Sequence, residues 1–260
     1  MQISFDLISD LHVDSWPKFD WTYQATSPFC VVAGDVALDR ALLKKTLAHL
    51  GHHYKAVFYI DGNEEHRHGL EDLDASYQSL SEELGGMKNV VFLYDQVVIL
   101  DGVAFLAVNG WTTFNWDSKF NVEDVYQGVQ NHYGISSVGT NNIERMAISD
   151  ALYLQDNIKK LQKHKDVKSI VIVSHFVPRG EFIEHDTHLN ATYRLNASIN
   201  SYVQQALIED TENKIKHWCF GHYHFAVDET VDGVRYVCNP RGRTNTPWFR
   251  DPYFPVRIDL

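Results

Sequence analysis

The sequence of 260 residues predicts an α/β fold with two central sheets and outer helices, in a single domain that spans residues 1–260. Apolar runs and helical segments alternate through the first 110 residues, which is typical of a parallel sheet covered by helices. Asp-Gly pairs follow apolar runs at residues 101–102 and 232–233, and this dipeptide indicates a β-hairpin. The sequence contains no internal repeat, low-complexity tract or long linker that would mark a second domain.

The first 110 residues supply the first half of the predicted elements. Each predicted strand is a short apolar run bounded by polar or turn-forming residues, and the segments at residues 34–55 and 61–89 are long enough for helices. We predict strands at residues 3–8, 30–33, 56–60, 90–93, 97–100 and 103–108, and helices at residues 40–53 and 70–84.

The pattern changes between residues 111 and 145, where aromatic residues lie among Asn, Gly, Ser and Asp with weak periodicity. A long insertion of this kind is either a lid or pocket wall, or a loop that folds over a satellite hydrophobic cluster. Beyond it the alternation returns, with a second loop at residues 177–195. We predict helices at about residues 145–164 and 198–209, and strands at residues 170–173, 217–220, 225–230 and 234–238.

Composition and charge exclude several classes of protein. The net charge of −11 argues against stable binding of nucleic acid, which needs a basic face, but it allows a small phosphorylated substrate. No apolar run approaches the roughly 18 residues of a membrane span, and the first residues lack the features of a signal peptide. The three cysteines suit buried thiols in a reducing compartment. We expect a cytoplasmic protein with no membrane partner, and the sequence leaves its oligomeric state open.

Five short segments end in residues of the kind that bind metals, and four of them directly follow predicted strands. Ligand residues at successive strand ends converge on one edge of a sheet, where open α/β folds place their sites. Seven oxygen and nitrogen ligands without a thiolate suit two divalent cations. The segments are Asp10-Leu11-His12, Gly34-Asp35, Gly62-Asn63, Ser174-His175 and Gly221-His222-Tyr223-His224.

The spacing within these segments suggests how the ligands are shared. Residues separated by one position lie on the same face of an extended chain, so Asp10 and His12 can reach one ion, and His222 and His224 likewise share a face. The Asp35 carboxylate has two oxygens and can bridge two ions. Each residue also has an ordinary alternative, because a histidine at a strand end is often structural and an aspartate there often caps a turn or helix.

The ordered set resembles the calcineurin-like metallophosphoesterase superfamily, whose pattern is D-x-H, G-D, G-N-H-[DE], H and G-H-x-H. The resemblance spans residues 10–224. It implies a four-layer α/β/β/α sandwich of two mixed sheets, with a dinuclear metal centre at the carboxyl ends of the strands. It also implies that Asp10, His12, Asp35 and His224 hold the first metal, and that Asp35, Asn63, His175 and His222 hold the second.

The same resemblance implies a metal-dependent hydrolase that acts on a small phosphodiester, nucleotide or phosphomonoester. In such a phosphodiesterase or phosphatase, a metal-bridging hydroxide attacks in line and the metals neutralise the phosphoryl charge. We expect Mn²⁺ first, while the same ligands also accept Fe²⁺, Zn²⁺, Ni²⁺ or Co²⁺. The alternative is a catalytically weak or inactive binding scaffold of this fold. A nuclease subunit of a DNA-repair complex is a third reading, which the acidic charge balance weakens.

Glu64 departs from the family pattern, because it follows Asn63 where the family has a histidine. That histidine contacts the phosphate and is a candidate general acid, whereas an ionised glutamate donates no proton and would repel a phosphate. Glu64 either adds a metal ligand, or turns away so that His66 or His68 acts as the acid, or accompanies substrates whose leaving groups need no proton. We favour a change of substrate range, with Asp35, Glu64 and His66 as the candidate catalytic residues.

Three further side chains are candidate substrate contacts. Arg241 lies in an Asn-Pro-Arg-Gly segment that recurs in small bacterial and phage members of the superfamily. It either binds a phosphate bidentately or holds the end of the chain in place. Trp111 follows an Asn-Gly turn that also recurs in those members, and Arg179 lies in the loop after the fourth ligand segment. Tyr223 lies between two histidines and is expected to pack in the core.

Overall fold

The computed structural model describes residues 3–16, 18–115, 121–183, 196–200, 202–246 and 248–260. The described strands form two mixed sheets of five and six strands, flanked by helices, which confirms the predicted fold class. The strands are β1 (Ser4–Ile8), β2 (Phe29–Ala33), β3 (Ala56–Ile60), β4 (Val90–Phe92), β5 (Val97–Leu100), β6 (Val103–Val108), β7 (Ser169–Ser174), β8 (Ile215–Phe220), β9 (Val227–Val231), β10 (Val234–Cys238) and β11 (Val256–Asp259). The α-helices are α1 (Arg40–His53), α2 (Leu73–Leu84), α3 (Val122–Tyr133) and α4 (Ser137–Lys163).

The first sheet has the strand order β11-β1-β2-β3-β4. Strands β1 to β4 run parallel, and β11 pairs antiparallel with β1 at one edge. All five residues of β1 are buried, as are the last four of β2 and of β3. Such continuous burial is typical of parallel strands that are covered on both faces. The parallel arrangement brings the carboxyl ends of β1, β2 and β3 to the same edge of the sheet.

The second sheet has the order β5-β6-β7-β8-β10-β9. Its four inner strands run parallel, while β5 and β9 are antiparallel edge strands joined to their neighbours by hairpins. Both hairpins turn at the predicted Asp-Gly pairs. The φ angles are 47° and 87° at Asp101 and Gly102, and 52° and 82° at Asp232 and Gly233. A positive φ at both central residues is what a type I′ turn requires, so both hairpin predictions are confirmed.

The two sheets pack face to face around a shared aromatic core. The ring of Phe105 in β6 lies 5.7 Å from that of Phe5 in β1 and 4.7 Å from that of Phe58 in β3. On the outer faces, α1 packs against β3 and β4, α2 against β4, and α4 against β6. The layers therefore follow the order helix, sheet, sheet, helix, as the resemblance implies.

The segment between residues 111 and 145 differs most from the prediction. It contains α3, and α4 begins at Ser137 instead of residue 145, because the Ser136 side chain caps the helix by accepting a hydrogen bond from Val138 N–H. Phe114 and Val125 are buried in the main core, so the described part of this segment packs like the alternative of a covering loop. Residues 116–120 lie outside the described part of the chain.

Smaller differences concern the ends of elements and one missed strand. The helix predicted at residues 198–209 is a 3-10 helix over Val203–Glu209, and the strand predicted at residues 225–230 is β9. Strand β11 was not predicted, although Ile258 is buried between exposed neighbours in an alternating pattern. Most of the second predicted loop, residues 184–195, lies outside the described residues. Within the described residues, we find no helix that is both long and apolar enough to cross a membrane.

Candidate metal centre

The structure brings all seven predicted ligand residues together where the two sheets meet. They follow the carboxyl ends of five parallel strands, three in the first sheet and two in the second. The predicted convergence at one edge is therefore observed, and it joins both sheets. After β1 come Asp10 and His12, after β2 Asp35, after β3 Asn63, after β7 His175, and after β8 His222 and His224.

The first group of potential ligands consists of Asp10, His12, Asp35 and His224. Each offers one ligand atom, and these atoms all lie within 4.8 Å of one another. The Nε2 atoms of His12 and His224 are 2.9 Å apart, and His224 Nε2 is 3.4 Å from Asp10 Oδ1. Asp10 Oδ2 is buried and has no hydrogen-bond partner among the described residues. A buried carboxylate oxygen without a donor is costly, and a divalent cation would satisfy it.

The second group consists of Asn63, His175 and His222. Asn63 Oδ1 lies 3.1 Å from His175 Nε2 and 2.9 Å from His222 Nδ1, and these two ring nitrogens are 3.3 Å apart. His175 Nδ1 lies 2.9 Å from the carbonyl oxygen of Ala33, which leaves Nε2 facing the group. One amide oxygen and two imidazole nitrogens converge here, and such a donor set suits a first-row divalent cation.

The carboxylate of Asp35 links the two groups. Its Oδ2 lies 3.8 Å from His12 Nε2 in the first group, and its Oδ1 lies 3.4 Å from His175 Nε2 in the second. Oδ1 also accepts a hydrogen bond of 2.9 Å from the backbone N–H of Glu64. One carboxylate therefore presents a different oxygen to each group, which is the arrangement that a bridging ligand requires.

The electrostatics of the buried groups favour a cation. Burial, followed by the charges of Glu64 and Asp10, raises the pKa of Asp35 well above its usual value. Burial raises the pKa of Asp10 as well, but a hydrogen bond and the charge from His224 outweigh it and lower that pKa overall. Burial, the charge of His224 and the charge of Arg243 lower the pKa of His12, which favours the neutral imidazole that binds metals.

The local backbone does not have the extended conformation on which the predicted pairing of ligands rested. Five ligand residues have a positive φ, a conformation that Asp, Asn and His adopt more readily than most residues. Asp10 and His12 therefore meet in one group through left-handed backbone and not through strand alternation, so that argument was wrong although it paired these two residues correctly. His222 and His224 lie in different groups. The φ angles are 50° at Asp10, 44° at His12, 52° at Asp35, 69° at His222 and 58° at His224.

Glu65 supports the centre and was missed by the sequence analysis. Its buried carboxylate accepts backbone hydrogen bonds of 2.7 Å from Gly62, 3.1 Å from Asp35, 2.7 Å from Val36 and 3.1 Å from Ala37. It therefore ties the loop after β2 to the loop after β3. Burial and the charge of Asp35 raise its pKa to about 8. The available signal was its position as the acidic residue that closes the third motif.

Glu64 lies beside the centre but is bound to arginines. Its side chain is 7% exposed, and Oε1 lies 2.8 Å from Arg243 Nη2 and 3.3 Å from Arg67 Nη1. The same oxygen accepts a longer hydrogen bond of 3.4 Å from Asn63 Nδ2. The carboxylate is not part of the four-residue group whose ligand atoms cluster, so the geometry favours an ion-pairing role over an added metal ligand.

His66 is not brought to the centre. It is completely buried, with Nε2 3.0 Å from Asp61 Oδ2 and Nδ1 2.8 Å from Ser76 Oγ. Its ring also packs on Tyr77 at 4.2 Å. With both ring nitrogens engaged inside the core, His66 is not placed to donate a proton to a leaving group, which corrects the expectation for this residue. His68 is exposed on the loop that follows.

Two of the three candidate substrate contacts, Trp111 and Arg179, are engaged with other parts of the structure. Trp111 is buried and donates a 2.8 Å hydrogen bond to Tyr77 Oη. Arg179 pairs with Glu181 and Asp232, and its guanidinium lies over the ring of Tyr236 at 5.6 Å. The ring of Trp111 belongs to the core, and the charge of Arg179 is already paired, so neither is placed at the centre as a substrate contact.

Of the two roles that the sequence left open for Arg241, phosphate binding and holding the chain in place, its contacts support the second. The guanidinium lies between two aromatic rings, 3.6 Å from the centroid of Trp16 and 4.5 Å from that of Phe249. Its Nη1 donates a 3.2 Å hydrogen bond to the carbonyl oxygen of Leu11. The side chain therefore fastens the segment after β10 to the loop after β1. Tyr223 is half-buried and packs, as expected, against a hydrophobic cluster that includes Leu154 of α4 and Trp218 of β8.

Comparison with known proteins supports the fold. No protein-family model matches the chain, and no curated protein matches its sequence. Among solved structures, the chain is similar to the phosphopantetheinyl hydrolase PptH from Mycobacterium tuberculosis, with a TM-score of 0.72 and 17% identity over 98% of this chain and 96% of that chain. It is also similar to GAP50, the anchor in the inner membrane complex of Plasmodium, with a TM-score of 0.52 and 11% identity over 96% and 75% of the two chains.

A third solved structure is described as a 5′-nucleotidase from Staphylococcus aureus in complex with alpha-ketoglutarate. It matches with a TM-score of 0.47 and 17% identity, over 93% of this chain and 49% of that chain. At these identities the similarity to PptH and to GAP50 shows the fold. The chemistry of the site has to be argued from the residues of this chain.

Proposed function

We propose that the protein is a two-metal phosphoester hydrolase of the calcineurin-like metallophosphoesterase superfamily. The observation that carries this proposal is the placement of Asp35, whose two carboxylate oxygens face two separate groups of ligand residues. A bridging carboxylate between two nitrogen- and oxygen-rich groups is the form of site that holds two divalent cations a few ångströms apart. The ordered motifs and the layered fold support the same family.

The residues present fit such a pair of cations. The donors are carboxylate, amide and imidazole groups, and the buried Asp10 Oδ2 has no hydrogen-bond partner among the described residues. Two divalent cations, when bound, supply positive charge to the phosphoryl oxygens and acidify the attacking water. Asp10, His12, Asp35 and His224 would hold the first ion, and Asp35, Asn63, His175 and His222 the second, with Mn²⁺ as the first choice.

The chain's own groups prepare the site for an anionic substrate. Burial and neighbouring positive groups keep His12 in the neutral form, so a lone pair is available to a metal. Glu65 fixes the loops that carry Asp35 and Asn63, because its carboxylate accepts hydrogen bonds from both loops. Arg243 lies next to Glu64 and adds positive charge near the ligands in a chain of net charge −11.

The burial of His66 bears on the choice of substrate. Because both of its ring nitrogens are engaged with Asp61 and Ser76, we do not assign it as a general acid. We infer that the preferred substrates have leaving groups that depart without protonation, such as aryl esters and pyrophosphates. A phosphopantetheinyl ester belongs in the test panel, since the similar fold of PptH carries an activity of that name.

The experiment is hydrolysis of an aryl phosphodiester and an aryl phosphomonoester by metal-stripped protein refilled with Mn²⁺. We expect turnover that needs the metal and that falls by at least about 100-fold in Asp35→Asn, because a direct ligand matters at least as much as residues behind the ligands. Asp74→Asn is the control, since Asp74 is an exposed aspartate paired with Arg145.

The outcomes separate an enzyme from a scaffold. Turnover that is independent of metal or of Asp35 would contradict the two-metal mechanism. No turnover of either ester with Mn²⁺, Fe²⁺, Zn²⁺, Ni²⁺ or Co²⁺ would replace the hydrolase with the scaffold alternative. The ratio of diester to monoester rates in an active preparation would direct the search for the natural substrate.

A further inference from the structure

Asn109 connects the two sheets at the segments that carry ligands of the second group. Its side-chain Nδ2 donates hydrogen bonds of 2.6 Å to Asp61 Oδ2 and 3.2 Å to the carbonyl oxygen of Asp61. Asp61 follows β3 of the first sheet and precedes the ligand Asn63 by two residues, whereas Asn109 follows β6 of the second sheet. The Asn109 side chain therefore joins a ligand loop of one sheet to the other sheet.

The main chain of the same residue holds the segment that carries His175. The carbonyl oxygen of Asn109 accepts hydrogen bonds of 2.9 Å from the N–H of His175 and 3.0 Å from that of Phe176. The regular pairing of β6 with β7 ends one position earlier, at Val108 and Ser174. One oxygen atom therefore binds two consecutive N–H groups just beyond the paired strands, and one of these groups belongs to a ligand residue.

The surroundings fix the orientation of Asn109. It is 2% exposed, and Asp61 is completely buried. Turning the amide over would place its oxygen against the Asp61 carboxylate, so the hydrogen bonds assign Nδ2 to the side that faces Asp61. The next residue, Gly110, has a φ angle of 76°, and a Cβ atom there would lie 3.3 Å from Ser174 Cβ. The turn therefore packs closely against the residue that precedes His175.

Core packing alone does not explain an asparagine at this position. Asn109 Oδ1 is buried, and among the described residues it has no hydrogen-bond partner. A buried oxygen without a donor costs free energy, and an apolar side chain of the same size would avoid it. What the asparagine adds is a link from Asp61 to the residue whose carbonyl oxygen binds the His175 segment.

We propose that Asn109 is a positioning residue for the second cation, which fixes the distance between Asn63 and His175. Asn63 Oδ1 and His175 Nε2 are 3.1 Å apart and come from different sheets, so their spacing depends on how the two sheets are joined at this point. The proposal rests on the proposed function, because it requires the second group to hold a cation. Replacing residues behind the ligands of a metal typically weakens its binding by about 10- to 100-fold.

The first test is a Mn²⁺ titration followed by calorimetry and electron paramagnetic resonance. Asn109→Leu keeps the size of the side chain and removes its donors. We expect it to weaken one of the two binding steps by about 10- to 100-fold and to change the other by less than about threefold. His175→Gln removes a ligand of the second group and so identifies the step that belongs to the second cation. At Mn²⁺ concentrations that fill the wild type, the spectrum of coupled Mn²⁺ pairs should give way to that of single ions in Asn109→Leu.

Tyr77→Phe is the matched control. Tyr77 is also buried, and its Oη donates a 2.9 Å hydrogen bond to the same Asp61 Oδ2. The variant therefore removes a hydrogen bond from the same oxygen while the link from Asp61 to Asn109 stays. We expect both binding steps to remain within about threefold of the wild type. An unchanged second step in Asn109→Leu, equal weakening of both steps, or the same loss in Tyr77→Phe would overturn the proposal.

Hydrogen exchange of the metal-free protein, measured by nuclear magnetic resonance, tests the link without the metal. In Asn109→Leu, the N–H groups of His175 and Phe176 should exchange at least about tenfold faster than in the wild type, because their acceptor is held less firmly. The N–H of Ile170 is hydrogen-bonded near the other end of β7 and reports global unfolding. Equal acceleration at all three groups, or none at His175 and Phe176, would refute the positioning role.

A second variant covers the case in which Asn109→Leu does not fold. Asn109→Ser keeps a hydroxyl donor on a shorter side chain and should weaken the second step by about threefold to tenfold. If the wild type binds fewer than two Mn²⁺ ions, the proposed function fails. The exchange of the His175 and Phe176 N–H groups then still decides whether Asn109 fixes this segment.

Discussion

Gly34 lies so close to the ring of His175 that a Cβ atom at position 34 would be 2.4 Å from His175 Nδ1. Gly34 also has a φ angle of 82°, which strains any residue with a side chain. Gly34→Ala is therefore expected to push the His175 ring out of the second ligand group. We expect a loss of about 2–4 kcal/mol in the free energy of unfolding, from the backbone strain and the clash together, and a lower Mn²⁺ content per chain.

Gly86→Ala separates the two causes. Gly86 has a similar φ angle of 79°, but a Cβ atom there would meet nothing within 4 Å. Gly86→Ala should therefore lose only the contribution of backbone strain, about 1–2 kcal/mol in the free energy of unfolding. It should keep the full metal content. Urea unfolding and elemental analysis measure both quantities. Equal losses of stability and metal in the two variants would show that the contact with His175 is unimportant.

Asp150 is expected to make stability depend on pH. It is buried and accepts hydrogen bonds of 2.8 Å from Gly110 N–H and 3.2 Å from Trp111 N–H. Burial raises its pKa from 3.8 to about 8, so the folded protein holds the proton to a higher pH than the unfolded chain does. Its contribution to stability is complete below about pH 4 and is lost as the pH rises through about 8, with a slope of up to about 1.4 kcal/mol per pH unit.

Asp150→Asn removes this titration and keeps an acceptor oxygen. The free energy of unfolding of the wild type, minus that of the variant, should therefore fall as the pH rises from 4 to 8. Asp156→Asn, at an exposed position on the same helix, is the control and should leave the pH profile of stability unchanged. Parallel pH profiles for the wild type and Asp150→Asn would contradict the raised pKa.

His66→Gln should reduce the stability of the protein much more than its catalytic rate. Its imidazole joins Asp61 and Ser76 in the core, so replacement leaves a buried carboxylate with one partner fewer. We expect a loss of about 3 kcal/mol in the free energy of unfolding, with kcat of the folded fraction changed by less than about twofold. Thermal unfolding and the pH profile of kcat measure these effects, with exposed His68→Gln as the control. A stable variant that loses the alkaline limb of the kcat profile would restore His66 as the general acid.

Arg241→Lys tests whether this arginine is structural. Lysine keeps the charge but cannot stack between Trp16 and Phe249 or reproduce the planar set of donors. We expect a loss of about 1–2 kcal/mol in the free energy of unfolding and an unchanged KM. Arg235→Lys, in an exposed pair with Asp228, should cost less than about 1 kcal/mol. A raised KM with unchanged stability would assign Arg241 to the substrate.

The convergence of the ligand residues could be predicted from the sequence because it depends on topology. Once strands alternate with helices, the carboxyl ends of parallel strands share an edge, whatever the details of each loop. The fold class follows from the same pattern. The positive φ angles at Asp10 and His222 could not be predicted, since they are fixed by hydrogen bonds to Gly34 and Asp10, which come from other strands.

The roles of Glu64 and His66 show where local sequence is insufficient. The two residues lie in one 3-10 turn, yet one faces Arg243 beside the centre and the other faces Asp61 inside the core. Which partner each side chain meets depends on segments far away along the chain. The start of α4 is a different case, because Ser136 is an ordinary N-cap residue and the helix could have been extended back to it.

The two ligand groups draw their members from both halves of the sandwich. Asp10, His12, Asp35 and Asn63 follow strands of one sheet, and His175, His222 and His224 follow strands of the other. A cation bound by residues from both sheets would link the two sheets across the interface at which they pack. Ions that bind only the folded chain raise its resistance to unfolding by mass action. Scarcity of the metal would then shorten the life of the protein itself, so that supply of the ion sets how much folded protein persists.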